Sequence, residues 1–175
     1  MKRKDAVEMR SEYLNFLRFS LTESAAATFT QVEVDTNLSA ERGVMMEIHS
    51  VDVDCQNLNL FDEVPAAGQE SLRIQITRES KTSLTSFNDA DCLFKTNPEV
   101  IRSAAIGTDA GPLWFFANKV ISVYFPLSLP YVKPSIFIGI QGTDAASTHT
   151  VTGRIGYTLR EIERDDFLEL LVALQ

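Results

Sequence analysis

Two stretches of this 175-residue chain set an aliphatic side chain at every second position: Leu72, Ile74 and Ile76 in LRIQIT, and Ile136, Ile138 and Ile140 in SIFIGI. Successive side chains of a strand point to opposite faces, so each stretch makes an apolar face that must be buried against another. TFTQVEVDT repeats the pattern, with Thr30, Val32 and Val34 opposed to Gln31, Glu33 and Asp35. VMMEIHSVDVDC carries it with a slip: its apolar residues are even-numbered at Val44, Met46 and Ile48 and odd-numbered at Val51, Val53 and Cys55. One extra residue near His49–Ser50, a β-bulge, returns both halves to the same face. Strands are expected at 28–35, 43–55, 71–78, 91–96, 113–117, 119–125, 134–141 and 148–161, the last burying Val151, Ile155, Tyr157 and Leu159. No long helix alternates with these strands, which points to an all-β, eight-stranded antiparallel sandwich.

Both ends break the period of two. Over residues 5–20, Val7, Leu14 and Leu17, with Met9, Tyr13 and Phe16, recur at helical spacing and predict an amphipathic helix. TESAAAT then reads as a hinge, so that residues 1–22 form an N-terminal helical arm and 23–162 the sandwich. Residues 163–175 predict a short C-terminal helix with Phe167, Leu170, Leu171 and Leu174 on one stripe and Asp165 or Asp166 as its cap. NPEVIRSAA is read as holding one helical turn.

The stretch VISVYFPLSLPYVKPSIFIGIQGT surrounds Pro126, Pro130 and Pro134 with apolar residues. A membrane span would need about 20 apolar residues, and here Asn118, Lys119 and Lys133 interrupt it while each proline removes a backbone donor. The spacing predicts two strands joined by a proline-stiffened loop carrying Leu127, Leu129, Tyr131 and Val132. Exposed on a monomer, such a loop would promote aggregation. It therefore either meets a partner or folds back over its own sandwich, and both readings stand at this point.

Reactive constellations are scarce. His49 and His149 lack zinc-site spacing, DVDCQN lacks the glycine and glutamate of a calcium loop, and no glycine-rich phosphate loop or nucleophile elbow occurs. Neither a cofactor nor a metal nor a small-molecule substrate is expected, and the chain is read as a non-enzyme. Cys55 and Cys92 fall in strands and are expected to be free thiols. Acidic residues and the interruptions at Asn15 and Arg18 remove the pattern of a secretory signal, so folding in a cytoplasm is expected. The net charge of −8 argues against a surface built as a whole to grip nucleic acid. Lys2, Arg3, Lys4 and Arg10 are the exception, a small basic excess able to meet a genome or a membrane.

Eight antiparallel-type strands, the bent VMMEIHSVDVDC strand, the FPLSLPYVKP loop and the basic N-terminal segment together resemble a single jelly-roll viral coat protein. The resemblance is architectural and covers residues 28–161. It implies two four-stranded sheets forming a wedge, lateral packing of wedges into an icosahedral-type shell, and terminal arms that lock subunits together or face the interior. It further implies a homo-oligomer contacting other capsid subunits, located in a virion after folding in a host cytoplasm. The assembly contacts would then be Leu127, Leu129, Tyr131 and Val132 in the loop, Met9, Tyr13, Phe16 and Leu17 in the first arm, and Phe167, Leu170 and Leu171 in the second. The five basic residues of the first arm are fewer than coats of single-stranded genomes usually carry, which favours a shell around a membrane or a pre-neutralised genome. A β-sandwich binding module for carbohydrate, lipid or protein is the competing reading.

Overall fold

A computed structural model describes residues 14–39, 43–56, 69–102, 114–116, 120–143 and 148–173. Within them lie ten strands: β1 (Asn15–Thr22), β2 (Thr30–Asp35), β3 (Val44–Gln56), β4 (Gln69–Thr77), β5 (Cys92–Thr96), β6 (Glu99–Arg102), β7 (Trp114–Phe116), β8 (Val120–Tyr131), β9 (Ser135–Thr143) and β10 (Thr150–Glu161). One helix, α1 (Arg164–Ala173), follows.

All pairings are antiparallel and make two sheets. The first runs β1-β10-β3-β8; the second runs β2-β9-β4-β6-β7, with β5 also on β4. Both β5 and β6 pair with β4, at opposite ends of it, and Leu72 N donates to Pro98 O between them. They therefore act as one strand interrupted at Asn97–Pro98. Taken so, the pairing is nested: β1 with β10, β2 with β9, β3 with β8, β4 with β5/β6.

The alternating residues bury each other between the sheets. Leu72, Ile74, Ile76, Ile136, Ile138 and Ile140 from the second sheet meet Met46, Ile48, Val51, Val53, Cys55, Val151 and Ile155 from the first. The bulge falls where the phase slips. Gly156 faces Ser50 and Tyr157 faces Ile48, which leaves His49 as the extra residue, its Nε2 2.9 Å from Thr158 Oγ1.

Several expectations are corrected. Asn15–Thr22 is a strand, so the helix expected over 5–20 does not exist there; residues 1–13 lie outside the described ones. Leu17, Phe19 and Leu21 face the core while Phe16, Arg18 and Ser20 face out, and this period of two outweighs the helical spacing of Leu14 and Leu17 with Tyr13 and Phe16 because β10 offers backbone partners along its whole length. Residues Glu99–Arg102 are also a strand, where Val100 and Ile101 supply β-propensity after the interruption at Asn97–Pro98. Helix α1 appears as expected, but Asp165 and Asp166 lie in its first turn and neither is its cap. Glu163 precedes it and accepts from Phe167 N. The expected hinge after Thr22 is anchored at its start by a buried residue, Glu23, while Ser24, Ala25, Ala27 and Thr28 are exposed. Glu23 Oε1 accepts from Gly142 N at 2.6 Å, and Oε2 lies 2.9 Å from His149 N and 2.8 Å from Nδ1. Neither Glu23 nor His149 exposes any side-chain surface.

Removing one partner of a buried, hydrogen-bonded pair leaves the other desolvated without compensation. Glu23→Ala is therefore expected to destabilise the fold by about 3–5 kcal/mol, read from the urea midpoint, and Glu23→Gln by less because it retains one acceptor. An unchanged midpoint in Glu23→Ala would show that the corner holds without the carboxylate.

Candidate functional site

The two outer faces differ. Gln75 points away from the core yet is fully buried, because the segment between β4 and β5 folds over the second sheet. The Gln75 carboxamide donates to Ser83 O and accepts from Thr85 N and Oγ1, Gln31 Oε1 accepts from Lys81 N, and Lys81 Nζ meets Asp91 at 2.6 Å and Asp89 at 3.4 Å. The Phe29 ring rests on Gly139, where any side chain would collide with it. In the first sheet, Val120, Ser122 and Tyr124 project outward from β8 while Ile121, Val123 and Phe125 pack on the core.

The register lines up the outward residues of the first sheet in three rows. One runs Phe16, Gly156, Ser50, Tyr124; the next Arg18, Arg154, Asp52, Ser122; the third Ser20, Thr152, Asp54, Val120. A groove of about 550 Å³ lies among them. At Gly156 a side chain would collide with Ser50 Oγ, and the Phe16 and Leu14 side chains lie over the same position. Arg154 is fixed from two sides: its Nε donates to Asp52 Oδ2 at 2.7 Å, and its guanidinium lies 4.6 Å from the centre of the Phe16 ring. Partial burial pushes the Asp52 carboxyl up, but hydrogen bonds from Ser122 and Arg154 outweigh it and hold the group below its ordinary value. Tyr124 is 74% exposed and Val120 61% exposed.

Of the loop residues expected to form contacts, only Leu127 is fully presented, at 82% exposed. In place of a loop, β8 continues to Tyr131, with Tyr124 opposite Ser50 and Leu129 opposite Ile48, so residues 125–128 bulge out against a single His49. Tyr131 and Val132 are buried by their own chain, which corrects their assignment to a partner contact. Tyr131 donates its hydroxyl to Ser135 O at 2.5 Å, and burial pushes that phenol well above its ordinary value. Val132 packs with Met45 and Phe167, and Leu170 and Leu171 lie against the same cluster. Phe167 is thus a fold residue too, held because the helix must cover Met45. Leu129 and Leu17 pack on the main core, while Phe16 is outward and 39% exposed. Met9, Tyr13, Lys2, Arg3, Lys4 and Arg10 lie outside the described residues.

Sequence reading did not single out Val120, Tyr124 or the Arg18–Arg154–Asp52–Ser122 row. The signal was present in VISVY, whose alternation separates Val120, Ser122 and Tyr124 from Ile121 and Val123. Among the described residues no three His, Cys, Asp or Glu side chains converge as a metal site, and no helix is long and apolar enough to cross a membrane. The arrangement offers a contact surface: exposed apolar side chains along the sheet edges beside a charged row in which Arg154 and Asp52 are paired. No family model matches the chain, and no curated protein does.

Two measurements check this geometry. Asp52→Asn is expected to lower stability by about 0.5–1 kcal/mol at neutral pH, the upper part of the range for surface pairs, because Arg154 is half exposed while Asp52 is largely covered. Because the folded carboxyl titrates below the unfolded value of about 3.9, the wild-type advantage is complete above that pH and disappears as pH falls through the folded value. A difference independent of pH would show that the lost interaction is steric. Burial, with a smaller contribution from Asp54, pushes the Cys55 thiol up to about 12. Alkylation of native protein at pH 8 is expected to modify part-exposed Cys92 first and Cys55 only after unfolding; early labelling of Cys55 would contradict its burial.

Proposed function

We propose that this chain is a structural subunit that assembles with copies of itself into an icosahedral-type shell, on the jelly-roll plan of viral coat proteins. The observation that carries this reading is the nested pairing. With β5 and β6 taken as one strand and β7 set aside, eight strands form two four-stranded sheets in the orders β1-β10-β3-β8 and β2-β9-β4-β5/β6. This is the order of a long antiparallel ribbon, ends together, rolled into a two-layered barrel with Greek-key connections.

A jelly roll also serves lectins and enzymes, so the surface has to supply the function. Here it supplies apolar residues at the edges of the first sheet, where a lateral neighbour would sit, and the acidic balance expected of a shell that does not grip its genome through the sandwich. On this reading the basic residues Lys2, Arg3, Lys4 and Arg10 face the interior and meet a membrane or a genome, and the protein resides in a virion. A carbohydrate-, lipid- or protein-binding sandwich is the second reading, favoured by the groove between Arg154 and Tyr124.

Sedimentation velocity and electron microscopy of the purified chain decide between them. Closed particles, or oligomers whose population rises with concentration, are expected. A chain that remains monomeric at millimolar concentration would overturn the shell and leave the binding module.

A further inference from the structure

We infer that the two terminal strands of the first sheet are the two halves of a single contact, in which the outer edge of β8 pairs with the outer edge of β1 from the next copy. This inference rests on the assembly reading and specifies its lateral interface.

β8 is a twelve-residue edge strand, VISVYFPLSLPY, without one charged side chain. Edge strands of proteins that stay monomeric are usually short, charged, bulged or covered, because their free backbone groups invite another strand. Here Pro126 and Pro130 obstruct the second half and leave 120–125 able to pair. Most large apolar side chains that the described residues leave exposed belong to these two edges: Val120, Tyr124 and Leu127 on β8, Leu14 and Phe16 at β1. A second copy fits both edges at once. Three antiparallel steps separate β1 from β8, so the two strands run in opposite directions, and a copy carried sideways across the sheet presents its β1 antiparallel to β8.

Extending the three rows sets the register. Tyr124 comes beside Phe16 of the next copy, giving a cross-strand aromatic pair, and Val120 comes beside Ser20. Ser122 comes beside Arg18 of the next copy, and this is the position with the most physical content. Within one copy Arg18 sits directly opposite Arg154, a like-charge pair, and has no ionic partner among the described residues. In the extended row it reaches over the short Ser122 toward Asp52, so that the order of charge becomes Arg154, Asp52, Arg18 of the neighbour. Leu14 of the neighbour comes to Pro126, beside the bulge that carries Leu127. Because the two edges differ, the contact is head-to-tail and closes into rings or propagates.

The test uses the full chain. The double variant Ser20→Cys/Val120→Cys, oxidised mildly, is expected to give a ladder of covalent dimers, trimers and higher species on a non-reducing gel, with each single variant no different from oxidised wild type. Crosslinking by Val120→Cys alone would mean a symmetric β8–β8 contact and would overturn the register. Arg18→Asp is expected to weaken association more than tenfold while leaving the melting temperature of the monomer unchanged or raised, since it removes a like-charge neighbour. If wild-type particles form and neither variant changes them, the edge contact is wrong and the shell stands. A monomeric wild type removes the shell and this contact together.

Discussion

A carboxylate with no exposed surface holds the corner on which the arrangement of both sheets depends. Nested pairing obliges the chain to change sheets twice in the same place, once from β1 to β2 and once from β9 to β10. Glu23 lies on the first crossing, His149 on the second, and Gly142 at the end of β9, and the Glu23 carboxylate accepts from Gly142 N and His149 N with His149 Nδ1 beside it. Desolvating that charge is costly, and only the convergence of several well-directed donors offsets it. The return bond from Glu23 N to His149 O and the contact of the Thr22 and Thr150 hydroxyls at 2.9 Å continue β1 and β10 as a pair up to the corner. The consequence is topological. β1 is fixed as a member of the first sheet, and that fixes which two strands are left as its edges.

The difference between the outer faces follows from the connections. The long segment after β4 has enough polar side chains to form its own hydrogen bonds against Gln31 and Gln75, so it covers the second sheet while satisfying both carboxamides, although Arg78 Nε at its start is buried without a partner among the described residues. The first sheet presents instead a ladder of charge in which Asp52 is better satisfied than Arg18. Such asymmetry is what a surface intended for a neighbour would show: one group already fixed in place, a second awaiting its counterpart, and apolar residues at the rim.

How much of this was legible depends on where the period of two stood alone. β3, β4, β9 and β10 were readable because aliphatic residues at alternate positions exclude a helix, and even the bulge at His49 followed from the change of phase in VMMEIHSVDVDC. β1 was misread because Leu14 and Leu17, with Tyr13 and Phe16, satisfy helical spacing while Leu17, Phe19 and Leu21 satisfy strand spacing; only the partner, β10, decides between them. The corner was hidden for a different reason. Glu23 in TESAAAT and His149 in STHT are 126 residues apart, and nothing local distinguishes a carboxylate that will be buried from one that will be solvated. Leu127 is the loop residue that the chain itself leaves exposed. Tyr131 and Val132 were not separable from it by composition, since their burial results from the closing turn to β9 and from α1.

The prolines in β8 make physical sense only together with the open half of the strand. An unprotected edge of twelve residues could add a neighbour in many registers, and each slip by one residue would set beside Tyr124 and Ser122 the residues of the added strand that face the opposite side. Proline removes the donor that such sliding needs, so Pro126, with the bulge at 125–128, ends the available edge after Phe125. Beyond it the same strand is committed to its own molecule through Leu129 on the core and Tyr131 bonded to Ser135. Five or six backbone positions are enough for a specific but reversible contact, and assembly of many identical copies requires each contact to be weak enough to correct itself. On the proposed contact β8 would be half interface and half core, with the boundary between the halves set by where the prolines stand.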